Sequence, residues 1–116
     1  YSCYPKSDAF NWWVEAVEKQ FQLHNTDPNI GLKIPFLLKK YDLQIIEANL
    51  FQALLTTKYE KHLLRLGLIE CAPSFITNGF YTKNEIDTAI KQITEFENEV
   101  NTLCTYSRIA QVAAKH

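Results

Sequence analysis

Glycine is scarce in this chain. Gly31, Gly67 and Gly79 are the only three in 116 residues, and they lie far apart. None belongs to the Gly-x-Gly turn that lets a backbone approach a nucleotide phosphate after a strand. Methionine is missing altogether and the first residue is Tyr1, so the stretch is expected to be a fragment or a processed form. No apolar run approaches the roughly 20 residues that cross a bilayer, and no signal-peptide pattern is present, so no membrane partner is expected. Neither sign of charge dominates: the formal net charge is −1 and the basic residues are scattered. A phosphate-backbone footprint is therefore lacking, and nucleic acid is not an expected partner. The three cysteines, Cys3, Cys71 and Cys104, form no CxxC or Cys/His cluster. That leaves no metal site to expect; the reading is of reduced thiols packed as small hydrophobes in a cytoplasmic protein.

What is present has ordinary globular proportions, 47% hydrophobic and 22% charged, enough for one domain. Ser7 can cap a helix whose apolar face is Phe10, Trp13, Val14, Val17 and Phe21, closed by turn residues from Asn25 to Asn29. A short helix from Ile30 to about Tyr41 tolerates Pro35 near its start. Asp42 breaks it, and Leu43 to Leu50 reads as a strand; the consecutive Ile45 and Ile46 suggest burial on both faces. Thr57-x-x-Glu60 and Thr82-x-x-Glu85 have capping-box spacing. The first should open a helix striped with Leu63, Leu64, Leu66 and Leu68, which Pro73 ends or kinks and Asn78-Gly79 stops. The second should open a long helix carrying Ile86, Ile90, Ile93, Glu97 and Val100. Tyr106 to His116 is a final β-branched strand. The fold class expected is α+β: four or five helices with two antiparallel strands, which would complete a doubly wound sheet supplied by other residues.

Five local patterns in this order resemble the C-terminal half of class I S-adenosylmethionine-dependent methyltransferases of the small-molecule branch. Tyr1 to Pro5 and Asp8-Ala-Phe10 are similar to residues just downstream of that family's fifth strand. Asp27-Pro-Asn-Ile-Gly31, then Leu32 and Leu37-Leu38, is similar to the D-x-x-I-G-x-x-L…L-L signature before the sixth strand. Gln52 matches a glutamine found after that strand, Thr82-x-x-Glu85 the opening of a late helix, and Arg108-Ile-Ala-Gln-Val112 the R-x-x-Q-V seventh strand. One departure is Asp42, which stands where the family has a glycine as helix cap; aspartate tolerates a left-handed backbone.

The resemblance implies that residues 1–116 are a single C-terminal segment of a methyltransferase. They would cover the pocket of a small-molecule methyl acceptor, while S-adenosylmethionine is bound by the missing N-terminal half. The segment alone is expected to be inactive. Methyl transfer profits from alignment and exclusion of water more than from acid–base machinery, so an aromatic wall with a few polar groups suits it. The substrate-binding candidates are Tyr4, Phe10, Trp13, Gln52 and Tyr59, with Tyr1 and Phe51 beside them. His62 is the one candidate for a base, the catalytic residues being otherwise unknown. Each also has a plainer reading: Phe10 and Trp13 as core, Tyr4 as a loop anchor, Gln52 as a strand-end hydrogen bonder, His62 as a solvated helix histidine. The alternative function is a non-enzymatic α+β binding or dimerisation module. In either case open strand edges favour a homodimer or strand-swapped oligomer of the isolated chain.

Overall fold

Orphan backbone groups dictate where the helices begin and end. The structure, a computed structural model describing residues 1–116, has seven elements. In chain order they are β1 (Cys3–Tyr4), α1 (Asp8–Leu23), α2 (Ile30–Lys39), β2 (Gln44–Leu55), α3 (Lys58–Thr77), α4 (Lys83–Asn98) and β3 (Leu103–Lys115). Ser7 Oγ accepts from Phe10 N at 3.2 Å to start α1. Both capping boxes form: Thr57 with Glu60 on α3 and Thr82 with Glu85 on α4. Three helices close alike, on a left-handed residue: Asn25 (φ 50°), Asp42 (φ 60°) and Gly79 (φ 72°). In each, the next N–H reaches back five residues: Thr26 to Phe21 O, Leu43 to Leu38 O and Phe80 to Phe75 O, at 3.0, 3.3 and 3.0 Å. These are Schellman closures, and Asp42 fills the glycine role by the left-handed tolerance expected of it.

The fold is α+β: four helices with a three-stranded antiparallel sheet in the order β1-β3-β2. The two long strands pair antiparallel as expected, with Phe51 opposite Ile109 and Leu55 opposite Cys104. They are longer than the sequence suggests. β2 continues to Leu55 and β3 begins at Leu103, because each extends the other's ladder through residues whose own pattern is neutral. A third strand, β1, was not expected; it contributes only the pairs Cys3–Cys104 and Tyr4–Leu103.

Other expectations need correction. β2 is not buried on both faces: Ile46 is 60% exposed and Leu55 is the strand's one buried residue. A register shift between Ile45 and Glu47 breaks the alternation there. Pro73 does not end α3, which runs to Thr77. Pro73 and Ile69 both face solvent, so water can serve the Ile69 carbonyl that the proline cannot. Val100 lies beyond α4 and is exposed.

The core forms where α1, α3 and α4 meet the closed end of the β2–β3 pair. Phe10, Trp13, Leu55, Leu64, Leu68, Ile93, Phe96 and Cys104 pack there as one cluster. Phe10 stacks between Trp13 and Phe96, with ring centroids 6.0 Å away on each side. Farther along the sheet α2 packs so tightly that a Cβ on Gly31 would stand 2.9 Å from the Ala110 Cβ. Two charged residues are buried as well, Lys61 and Glu97.

Candidate functional site

A mostly apolar concavity lies between α1, α3 and β3, with a volume of about 170 Å³. α1 presents Trp13, Val17, Gln20 and Phe21 to it at helical spacing; α3 presents Gly67, Leu68, Cys71 and Phe75. Tyr106 and Ser107 of β3 close a third side, and Tyr1 reaches over them, its Oη 2.9 Å from Ser107 Oγ. Trp13 is locked as a wall because its Nε1 donates to the Leu64 carbonyl at 3.0 Å.

Two residues of this lining carry a cost of their own. Gln20 Oε1 is buried with no hydrogen-bond partner, which costs about 1–3 kcal/mol. Gly67 sits mid-helix, where glycine costs about 1 kcal/mol relative to alanine. An added Cβ there would meet nothing within 4 Å and the residue is exposed, so packing does not require the glycine. Burial pushes the Cys71 thiol up, with the Glu70 charge adding to the shift. Burial likewise raises the Tyr106 phenol, helped by Tyr1. Both therefore stay protonated at neutral pH, and the cavity offers a neutral, aromatic surface.

A second, more polar groove of about 580 Å³ adjoins it, and Tyr1, Val17, Phe21, Tyr106 and Ser107 line both. Gln52 and Arg108 belong to this groove. Gln52 Nε2 donates to the Tyr106 carbonyl at 3.0 Å, and Arg108 Nη2 lies 3.4 Å from Asn29 Oδ1.

The structure thus brings together Tyr1, Trp13 and Gln52 of the candidates read from the sequence. Phe10 is sealed in the core, and Tyr4 and Tyr59 are 72% and 89% exposed, outside the cavity. Phe51 is also exposed and away from it. His62 belongs to a different cluster. Its Nδ1 is 2.7 Å from Glu97 Oε1 and 2.6 Å from Arg65 Nη2. One proton cannot serve both gaps, so Nδ1 either donates to Glu97 or accepts from Arg65. Arg65 meanwhile holds Glu97 by two bonds of 3.0 Å, Nε to Oε2 and Nη2 to Oε1. Burial pushes the Glu97 carboxyl up, but the hydrogen bonds and charges of Arg65 and His62 outweigh it and hold the group below its ordinary range.

Gln20, Phe21, Cys71 and Tyr106 were not among the site candidates read from the sequence. Gln20 carried a signal: it lies seven residues after Trp13, one turn beyond Ala16, on the buried side of α1. The chain's glycines do not fit a nucleotide-cofactor cradle. Gly31 opens α2, Gly67 is inside α3 and Gly79 turns between α3 and α4, so none follows a strand. No group of three or more His, Cys, Asp or Glu could hold a metal ion, and no helix is long and apolar enough to cross a membrane. Compared with known proteins, the chain matches no family model, no curated protein and no solved structure.

Proposed function

We propose that this chain is the acceptor-binding, pocket-covering part of an S-adenosylmethionine-dependent methyltransferase acting on a small molecule, the cofactor being held by residues outside 1–116. The observation that carries the reading is the place of the cavity beside an unfinished margin of the sheet. β3 pairs with β2 along its length, but with β1 only at Leu103 and Cys104, after which Thr105 N donates to Ser2 O at 2.8 Å. From Ser107 onward that side of β3 has no strand against it. A row of N–H and C=O groups left this way invites a further strand. β1 runs antiparallel to β3, so polypeptide joined ahead of Tyr1 and kept in register would lie along that row. Tyr1, Tyr106 and Ser107 stand at this margin and also at the cavity, so the added strand would end beside the pocket. In-line methyl transfer needs an acceptor held in alignment and shielded from water, which a rigid aromatic wall supplies.

The test is calorimetry with S-adenosylmethionine on residues 1–116 and on the polypeptide encoded by the whole reading frame. Binding by the second alone is expected. Micromolar binding by residues 1–116, or none by either, overturns the proposal.

A second reading, a non-enzymatic α+β module that dimerises, is favoured by one observation. Phe51 and Ile109 face each other across the ladder and are 54% and 65% exposed. A reading frame that adds nothing to these residues would decide for it.

A further inference from the structure

We propose that Cys3 and Cys104 form a dithiol modification site, which exchange with a low-molecular-weight disulfide such as oxidised glutathione converts to an intrachain disulfide. The step needs neither the cofactor nor the acceptor of the methyltransferase reading.

Strand register sets the geometry. Cys3 stands directly opposite Cys104 where β1 pairs antiparallel with β3. Thr105 N donates to Ser2 O at 2.8 Å, so the ladder bond flanks the cysteines rather than joining them. They are a non-hydrogen-bonded pair, in which Cα atoms lie about 4.5 Å apart and side chains approach most closely. Disulfides span roughly 4.4–6.8 Å between Cα atoms, so the backbone needs little movement to close the bond. Both side chains leave the same face of the sheet, and Cys3 packs against the core cluster that contains Cys104. The hydrogen bond that Cys3 gives up is weak, a thiol to the Pro5 carbonyl at 3.4 Å. Cys71, the third cysteine, lies in α3, outside the ladder.

Exposure sets the order of events. Cys3 is half-buried and Cys104 fully buried, so the reagent meets Cys3 first. The Cys3 thiolate attacks one sulfur of the reagent, whose S–S bond breaks, and one glutathione thiolate leaves. The Cys104 thiolate then attacks the Cys3 sulfur of the mixed disulfide and expels the second. The protons of the two cysteines end on the two glutathione thiols, and the two electrons lost by the protein reduce the reagent. Burial pushes the Cys104 thiol up to about 11, with the Cys3 charge adding and Lys61 opposing, so the second attack is the slow one at neutral pH. The finished bond closes a loop of about 100 residues and pins the arm whose Tyr1 reaches over the cleft.

Residues 1–116 are incubated with oxidised glutathione, alkylated and mapped by mass spectrometry, while thermal unfolding is followed by circular dichroism. A Cys3–Cys104 cross-linked peptide is expected, with Cys71 alkylated as the internal control. The melting midpoint should rise by about 10 °C and fall back in dithiothreitol. Cys104→Ala should accumulate glutathione on Cys3. Cys3→Ser, at the less buried of the two positions, should leave Cys104 unmodified. Three alkylated cysteines, a cross-link through Cys71 or to a second chain, glutathione retained on Cys3 of the unchanged protein, or a midpoint that fails to rise overturns the proposal.

Discussion

Lys61 and Glu97 show how much a single side chain decides here. Lys61 is fully buried, yet its Nζ meets the Glu99 and Thr102 carbonyls at 2.8 and 3.2 Å and Thr102 Oγ1 at 2.8 Å. It thereby joins Thr102 in binding the Glu99 carbonyl just past the end of α4, where a cation also suits the helix dipole. Its place was legible after the fact: Leu64, Leu68 and Phe75 form the buried stripe of α3, and Lys61 continues that stripe one turn earlier. Glu97 gives a pH prediction. Its carboxyl lies below the ordinary value of 4.5 in the fold, so at acid pH the unfolded chain binds more protons than the native one. Stability from this group is full above 4.5 and drains away as pH falls through the lower, folded value. Urea unfolding at about pH 6 and about pH 3 should show a smaller acid loss in Glu97→Gln than in the unchanged protein. Equal losses would mean that the Arg65–His62–Glu97 cluster does not hold the carboxylate.

At the scale of elements, the helix starts and stops were the most readable features because they are local chemistry. Ser7, Thr57 and Thr82 each present an oxygen to an N–H three residues on, whatever the rest of the chain does. Asn25, Asp42 and Gly79 close three helices by one backbone geometry. Asn25 and Asp42 are the costly members, since the left-handed region costs an L-residue about 1–2 kcal/mol, partly relieved for asparagine and aspartate. Asp42→Gly should therefore stabilise the chain by up to about 1 kcal/mol, the extra entropy lost by glycine offsetting part of the relief. A denaturant midpoint that falls instead would show that the Asp42 side chain matters for another reason. Strands were less readable. β2 and β3 extend past their β-branched segments through Phe51 to Leu55 and Leu103 to Thr105, since pairing with a partner, not propensity, holds them extended. β1 has two residues and no pattern of its own.

The whole molecule is unusually open. Its radius of gyration is 17.0 Å, against about 13 Å for a closely folded chain of this length. Its accessible surface is 8070 Å², against about 6500 Å² for a compact monomer of its mass. The surplus of about 1500 Å² is what one partner contributes to a permanent interface. Part of it is the sheet face turned away from α2. Ala110 meets α2 at Gly31, side chains alternate, and so Ile109 and its cross-strand neighbour Phe51 point the other way. On the proposed methyltransferase reading, further polypeptide would cover this surface; in the isolated chain another copy should. Sedimentation velocity at rising concentration should show self-association that Ile109→Lys weakens. A chain that stays monomeric at every concentration would sink this expectation.

Capping boxes and turn residues marked on their own where the helices begin and where three of them end, though they left the number at four or five and the structure has four; short-range hydrogen bonds need no distant partner. The aromatic spacing of α1 likewise marked Trp13 as facing inward. Only the tertiary structure decided that Trp13 borders a cavity while Phe10 is sealed, that Gln20 carries an unmet acceptor, and that His62 is tied to Glu97 rather than free. The physical reason is separation along the chain. A pocket wall joining Tyr1, Gln20, Gly67 and Tyr106 exists only after four segments have packed, and no local periodicity records which residues will then face the same empty space.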